Sequence, residues 1–391
     1  MEKNEILVVY GTDISGMAFR LAREANLAEL IGDRGKRIGI KPNLVTARPA
    51  SGGATTHPEI ASGLISYLKE NSFASIVILE GAWAGASTAE AFNVCGYRKL
   101  ASETGLRLID TKTDKTKVCD CGGMNIEICE SALDLDFMIN LPVMKGHCQT
   151  LLTCALKNNK GIIPDREKRR FHSIGLTKPI AHLNTAVRND FILVDGICGD
   201  LDFEEGGNPL YAGRLFAARD PVLCDAWAAV QMGYEVSDIP YIGLAEKLGV
   251  GSANLKEALV RELNSCQSAT EASAEANAEA SADASAEKNA TSYAPSGKVQ
   301  SLAVYIAEDR ACSACYASLV FALSRLNRNE IGLVGEKICV GQGFRGKKKA
   351  LGVGQCCAAF AAYCPGCPPS GADILAFLRA ALRAAMRAVL R

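Results

Sequence analysis

Between Gln267 and about Ser296 the chain is built almost entirely from Ala, Ser, Glu and Asn, with no aromatic or branched apolar residue before Tyr293. A tract of that kind has nothing to bury and cannot join a core. The 391 residues must therefore fold as separate units on either side of it. Glu271, Glu275, Glu279, Asp283 and Glu287 recur every fourth position. Alanine favours a helix there, while like charges at that spacing oppose one. The expected organisation is a unit over 1–265, a disordered or partly helical linker over 266–297, and a cysteine-rich unit over 298–391.

The first unit alternates two kinds of pattern. Strand-like runs stand at Ile6–Tyr10, Arg37–Ile40, Ile76–Leu79, Leu106–Ile109, Asn125–Cys129, Phe137–Leu141, Phe191–Val194 and Leu215–Ala218. Helical patterns lie between several of them, at Ile14–Asn26, His57–Glu70, Ser87–Thr104 and Thr150–Asn158. This alternation predicts an α/β fold with a mainly parallel sheet, in which ligands bind beyond the carboxyl ends of strands. Lys and Arg number 43, as do Asp and Glu, so the basic excess of a general nucleic-acid binder is missing. No apolar run is long enough to cross a membrane, and the opening residues lead into a strand rather than a signal peptide. These features predict a cytoplasmic protein.

Polar clusters follow the strand ends. Lys41-Pro42-Asn43 comes first, then Thr55-Thr56-His57-Pro58 at a helix start. Capping explains the threonines and the proline but leaves Lys41 and His57 for ligand contact. The densest cluster holds Lys145, His147, Thr150, Thr153, Lys157 and Asn158, followed by His172. Cations beside imidazoles suit an anionic small molecule, with His147 as proton carrier. Asp195 ends a strand and is the best candidate to orient a partner or a hard cation. The predicted catalytic residues are thus Lys145, His147 and Asp195, and the predicted binding residues are Lys41, Asn43, His57, Lys157, Asn158 and His172.

The order Lys41-Pro42-Asn43, Thr56-His57-Pro58, Lys145-x-His147, Lys157-Asn158 with Gly161 and Pro164, His172, Asp195-Gly196, and Asp220-Pro221 with Asp225 and Gly233 resembles the family called domain of unknown function 362, over roughly residues 5 to 260. The resemblance implies that iron–sulfur cysteines accompany the domain. Glu205-Gly206-Gly207-Asn208-Pro209 departs from the Glu-Gly-x-Gly-Pro order of that family.

Sixteen cysteines are too many for ordinary use, and in a reducing compartment they do not form a disulfide framework. Seven crowd into Cys312, Cys315, Cys339, Cys356, Cys357, Cys364 and Cys367. After a strand-like Ser301–Ile306, Cys312 and Cys315 open a helical stretch, where the helix N-terminus favours thiolates. Two Cys-x2-Cys pairs, Cys312/Cys315 and Cys364/Cys367, meet the minimum for zinc. The pattern also resembles the small subunits of nickel–iron hydrogenases and the related quinone-reductase subunit. That resemblance implies a 4Fe–4S cluster on Cys312, Cys315, Cys356 and Cys367, with Cys357 as the alternative to Cys356 and zinc as the alternative metal. Gly341 to Lys349 forms a basic loop that could steer an acidic redox partner protein. The first functional reading is a redox enzyme coupling the cluster to an anionic small molecule bound in the first unit. The second is a non-catalytic electron-transfer partner, and the third a proton-transferring isomerase or group-transfer enzyme with a structural metal.

Overall fold

The computed structural model describes residues 1–264, 294–327, 330–331 and 337–389. Most of the expected linker, residues 266–293, lies outside the described residues, as does Ser265. Two compact units result, one of Met1–Glu167 with Thr177–Pro295, the other of Lys168–Leu176 with Ser296–Arg391. The short segment Lys168–Leu176 belongs to the second unit.

The first unit is organised by an eight-stranded sheet. In chain order its strands are β1 (Glu5–Tyr10), β2 (Ile38–Pro42), β3 (Ile76–Glu80), β4 (Arg107–Asp110), β7 (Phe137–Leu141), β10 (Phe191–Asp200), β11 (Pro209–Ala218) and β12 (Leu259–Glu262). The spatial order is β12-β1-β11-β10-β7-β2-β3-β4. The run β10-β7-β2-β3-β4 is parallel throughout, and β11 lies antiparallel to both of its neighbours. Runs such as Ile6-Leu7-Val8-Val9 and Ile76-Val77-Ile78-Leu79 are continuous in apolar residues because helices cover both faces of such strands. Helix Ile14–Glu24 packs on helix Pro58–Glu70 across one face, burying Met17, Leu21, Leu64 and Leu68. A Cβ at Gly63 would collide with the Ser15 carbonyl, so glycine sets how closely these helices approach.

Three patterns fold otherwise than predicted. Asn125–Cys129 (β6) pairs only with β5 (Thr116–Asp120), in a hairpin separate from the large sheet. The Ser87–Thr104 helix breaks in two at Cys95 and Gly96, where Gly96 adopts φ of 82°. Thr150–Asn158 is not one helix either: β9 (Leu151–Thr153) pairs with β8 (Lys145–His147), and only Ala155–Asn158 is helical. Leu151 has φ of 63°, and the Asp225 carboxylate, far along the chain, accepts the Ala155 N–H at 2.7 Å and so fixes the helix start.

The second unit holds a smaller sheet, parallel throughout, with its strands in chain order: β13 (Ile306–Glu308), β14 (Ile338–Val340), β15 (Leu351–Val353) and β16 (Ala362–Cys364). Helices Ser313–Ser324 and Gly371–Val389 pack on each other. The run predicted as a strand at Ser301–Ile306 is mostly helix, Lys298–Ala303, with the strand beginning only at Ile306. Val299 and Leu302, three residues apart, are its buried side chains, which is helical rather than strand spacing. Among the described residues no helix is long and apolar enough to cross a membrane.

Candidate functional site

In the first unit the polar side chains meet at the carboxyl ends of β2, β3 and β7. Lys41 lies opposite Asn140 in the β2–β7 register, and Glu80 is the last residue of β3. Lys41 Nζ is completely buried and donates to Glu80 Oε2 at 2.7 Å, to the Pro42 carbonyl at 2.9 Å and to Asn158 Oδ1 at 3.2 Å. Asn158 ties the strands together, accepting from Asn43 Nδ2 at 2.7 Å and donating to Asn140 Oδ1 at 2.7 Å. Gly161 closes this cluster, because a Cβ there would collide with Glu80 Oε1.

Lys145 is equally buried. It donates to Asn43 Oδ1 at 3.0 Å, to the Glu204 carbonyl at 2.8 Å and to the Ala54 carbonyl. Burial pushes its ammonium down to about 7, against the pull of the Glu204 charge. The Glu204 side chain gathers two more groups: His147 Nε2 lies 2.6 Å from Oε2, and Lys157 Nζ lies 3.2 Å from the same oxygen. Lys157 also donates to Thr153 Oγ1 at 3.2 Å, so two residues expected on one helix meet across a strand-to-helix turn. His147 Nδ1 accepts the N–H groups of Gln149 and Thr150, which leaves its proton on Nε2, toward Glu204. Burial, partly countered by Glu204, lowers His147 to about 4, so the ring stays neutral near pH 7.

Asp195 belongs to a neighbouring pair. Its Oδ2 accepts from the His57 backbone N–H and lies 2.8 Å from His57 Nδ1, while Oδ1 accepts from Ile197 N. Burial disfavours the imidazolium, but the Asp195 charge outweighs it and raises His57 to about 11. Both Asp195 oxygens therefore have partners within the protein.

The structure therefore brings Lys41, Asn43, Lys145, His147, Lys157 and Asn158 into one buried network and pairs His57 with Asp195. His172 belongs to the second unit, where its ring nitrogens lie 3.4 Å from Ser313 Oγ. Sequence reasoning missed Glu80 and Glu204, the carboxylates that neutralise the lysines. The unpartnered buried atoms of this network include Glu204 Oε1, Glu205 Oε2 and His147 Nε2, the last although it lies 2.6 Å from Glu204 Oε2.

Glu205 gives a pH signature. Burial, reinforced by the Glu204 charge, pushes its carboxyl up to about 8. A raised carboxyl contributes stability that is full below its unfolded value of about 4.3 and is lost as pH rises through the folded value, at about 1.4 kcal/mol for each pH unit between the two values. Glu205→Gln keeps the shape without the charge. The variant should match the wild type near pH 4 in denaturant midpoint, exceed it increasingly up to about pH 8, and gain no more above that. A difference between the two proteins that does not change with pH would refute this assignment.

In the second unit the thiols gather at the carboxyl end of the small sheet. Cys312, after β13, precedes the helix Ser313–Ser324, and Cys315 lies in its first turn. Cys356 follows β15 on the short turn Gln355–Cys357, and Cys367 follows β16. Burial pushes the Cys315 thiol upward, and the nearby Cys312, Cys367, Cys356 and Cys357 thiols push it the same way. Gly354 lies beside them, where a Cβ would stand 3.4 Å from Cys315 Sγ. Cys367 is exposed and Cys312, Cys315 and Cys356 are half-buried, whereas Cys339, Cys357 and Cys364 are buried. Among the described residues, the group of three metal-ligating side chains whose donor atoms all lie within 4.8 Å is Cys154, Cys224 and Asp225. Asp225 is occupied in capping Ala155 and Leu156.

Domain of unknown function (DUF362) is the family that matches this chain, over residues 38–230, a span that includes the whole buried network and stops short of the thiols. A thylakoid-associated protein of Synechocystis sp. is 23% identical over 227 residues, covering 55% of this chain and 69% of that protein. Among solved structures, the lactate racemase apoprotein from Thermoanaerobacterium thermosaccharolyticum aligns with a TM-score of 0.37 and 14% identity over 56% of this chain. The chain spans 55% of that structure's length.

Proposed function

We propose that the chain is an iron–sulfur redox protein in which Cys312, Cys315, Cys356 and Cys367 hold one 4Fe–4S cluster. The observation that supports this reading is the convergence of four thiols from three strand-end loops around Cys315. The carboxyl end of a parallel sheet and the start of a helix both favour an anionic group at this place. When bound, the cluster supplies a one-electron step.

The residues of the first unit favour electron transfer without an anionic substrate at the predicted lysines. Lys41, Lys145 and Lys157 direct their ammonium groups at Glu80, Glu204, carbonyls and amides inside the protein. This makes the non-catalytic carrier the second reading. A redox enzyme would have to take its small molecule at the acceptor-rich side of Glu204 and Glu205, where a cation or a donor fits.

The test is anaerobic reconstitution of the full chain with ferrous iron and sulfide, followed by iron, acid-labile sulfide and zinc analysis. About four irons and four sulfides per chain are expected, with a broad visible absorbance that bleaches on reduction. Stoichiometric zinc without labile sulfide would overturn the reading. Thermal-shift screening of carboxylates, phosphates and amines then separates enzyme from carrier. An amine or metal response abolished by Glu204→Gln favours the enzyme, and no response favours the carrier.

A further inference from the structure

Three of the four strand-end loops in the second unit supply the thiols. The fourth, after β14, supplies none, yet it reaches the same place. It carries Gln342 and Arg345, on and just beyond the turn Gln342–Phe344. Gln342 Nε2 donates to Cys312 Sγ at 3.8 Å and to the Arg169 carbonyl at 3.0 Å. Because a carbonyl can only accept, the second contact fixes which end of the amide is nitrogen and therefore aims an N–H at the sulfur. The Arg345 guanidinium, on the exposed side of the loop, stands beside Cys356, and Cys367 and Cys312 are its other thiol neighbours. The turn is held by its own backbone: Gly343 N donates to the Asp309 carbonyl at 2.9 Å, and a Cβ on Gly341 would collide with that carbonyl.

We propose that Gln342 and Arg345 raise the reduction potential of the cluster by stabilising negative charge on two of its four thiolate ligands. This rests on the cluster reading above. A one-electron reduction adds charge to a group already carrying four thiolates, and donors and cations at the sulfurs favour that reduced state. The two residues act by different physics. Gln342 is half-buried and directional, so its effect is insensitive to salt. Arg345 is exposed, and salt screens it.

The experiment is a redox titration of the reconstituted full chain, followed by absorbance and electron paramagnetic resonance, with iron and sulfide measured on each variant. Arg345→Ala should lower the midpoint by about tenfold in the equilibrium constant, about 59 mV for one electron. Arg345→Lys should recover most of it, and the gap to Arg345→Ala should narrow at high salt. Gln342→Leu should lower the midpoint by less, equally at low and high salt. Variants with full iron and sulfide but wild-type midpoints would overturn the inference and leave the cluster reading standing. A wild type that takes up no cluster would instead remove the reading beneath it. If no Arg345 variant, including Lys and Gln, takes up iron, the residue serves assembly and the tuning role is overturned.

Discussion

After anaerobic reconstitution, Cys356→Ser loses nearly all of its iron and sulfide, and Cys357→Ser keeps them. The two cysteines are neighbours on one short turn, and from the sequence either could complete the ligand set. Their surroundings separate them. Cys357 is fully buried with Cys339, Phe344 and Phe360, and its thiol donates to the Cys339 carbonyl at 3.6 Å. A Cβ on Gly352 would come within 2.5 Å of Cys357 Cβ and 2.8 Å of its Sγ, so the side chain packs closely under β15. Cys356 is half-buried on the same turn and meets Arg345. Adjacent residues on a tight turn point in different directions, one into the core and one towards the other thiols. The inward position behaves as a small apolar side chain, which is how buried free cysteines usually act. Replacing it with serine puts a hydroxyl into that pocket at a cost of about 1–3 kcal/mol, so Cys357→Ser should unfold earlier while still holding iron. Iron and sulfide assays with a thermal melt read both effects. Retention by Cys356→Ser with loss by Cys357→Ser would reverse the assignment.

The contrast shows what a sequence can and cannot carry. Every strand-like run of the first unit is a strand in the structure, because continuous Ile, Leu and Val between turns has few other ways to be buried. The cysteine crowding is equally local information. What the sequence conceals is partnership. Lys41, Lys145 and Lys157 look like cations waiting for a ligand, since a sequence shows a charge without showing its neutraliser. Glu80 lies 39 residues from Lys41 and Glu204 lies 47 from Lys157, and only the fold brings them together. Glu80 reads as the first residue of a glycine-rich turn, and Glu204 as one carboxylate of a loop. The Thr150–Asn158 helix fails for a related reason, because the Asp225 cap that starts it at Ala155 comes from a helix 70 residues away. His172 stands near Lys157 in the chain but belongs to the other unit.

Glu80→Ala should be among the most destabilising single changes in the first unit. It leaves the Lys41 ammonium, completely buried, without its counter-charge. Removing one partner of a buried ion pair costs about 3–5 kcal/mol, because the remaining charge has lost both water and its neutraliser. Burial already presses the Lys41 pKa downward, and the Glu80 charge is what opposes that pressure. The variant should respond by releasing the proton from Lys41, so its deficit should shrink as pH rises. Hydrogen exchange of β2 and β3 in the full chain, compared at pH 6 and pH 9, reads this directly. A deficit that is small, or that does not depend on pH, would show that the pair contributes little. Replacing both residues, as in Lys41→Met with Glu80→Leu, should restore much of the loss, since well-packed apolar pairs often equal buried ion pairs in stability. The double variant then separates architecture from chemistry. If it folds, takes up iron and still answers the amine and metal screen as the wild type does, the Lys41–Glu80 pair is scaffolding for Asn43 and Asn158. If it folds but the response disappears, the buried charges belong to the function of the first unit.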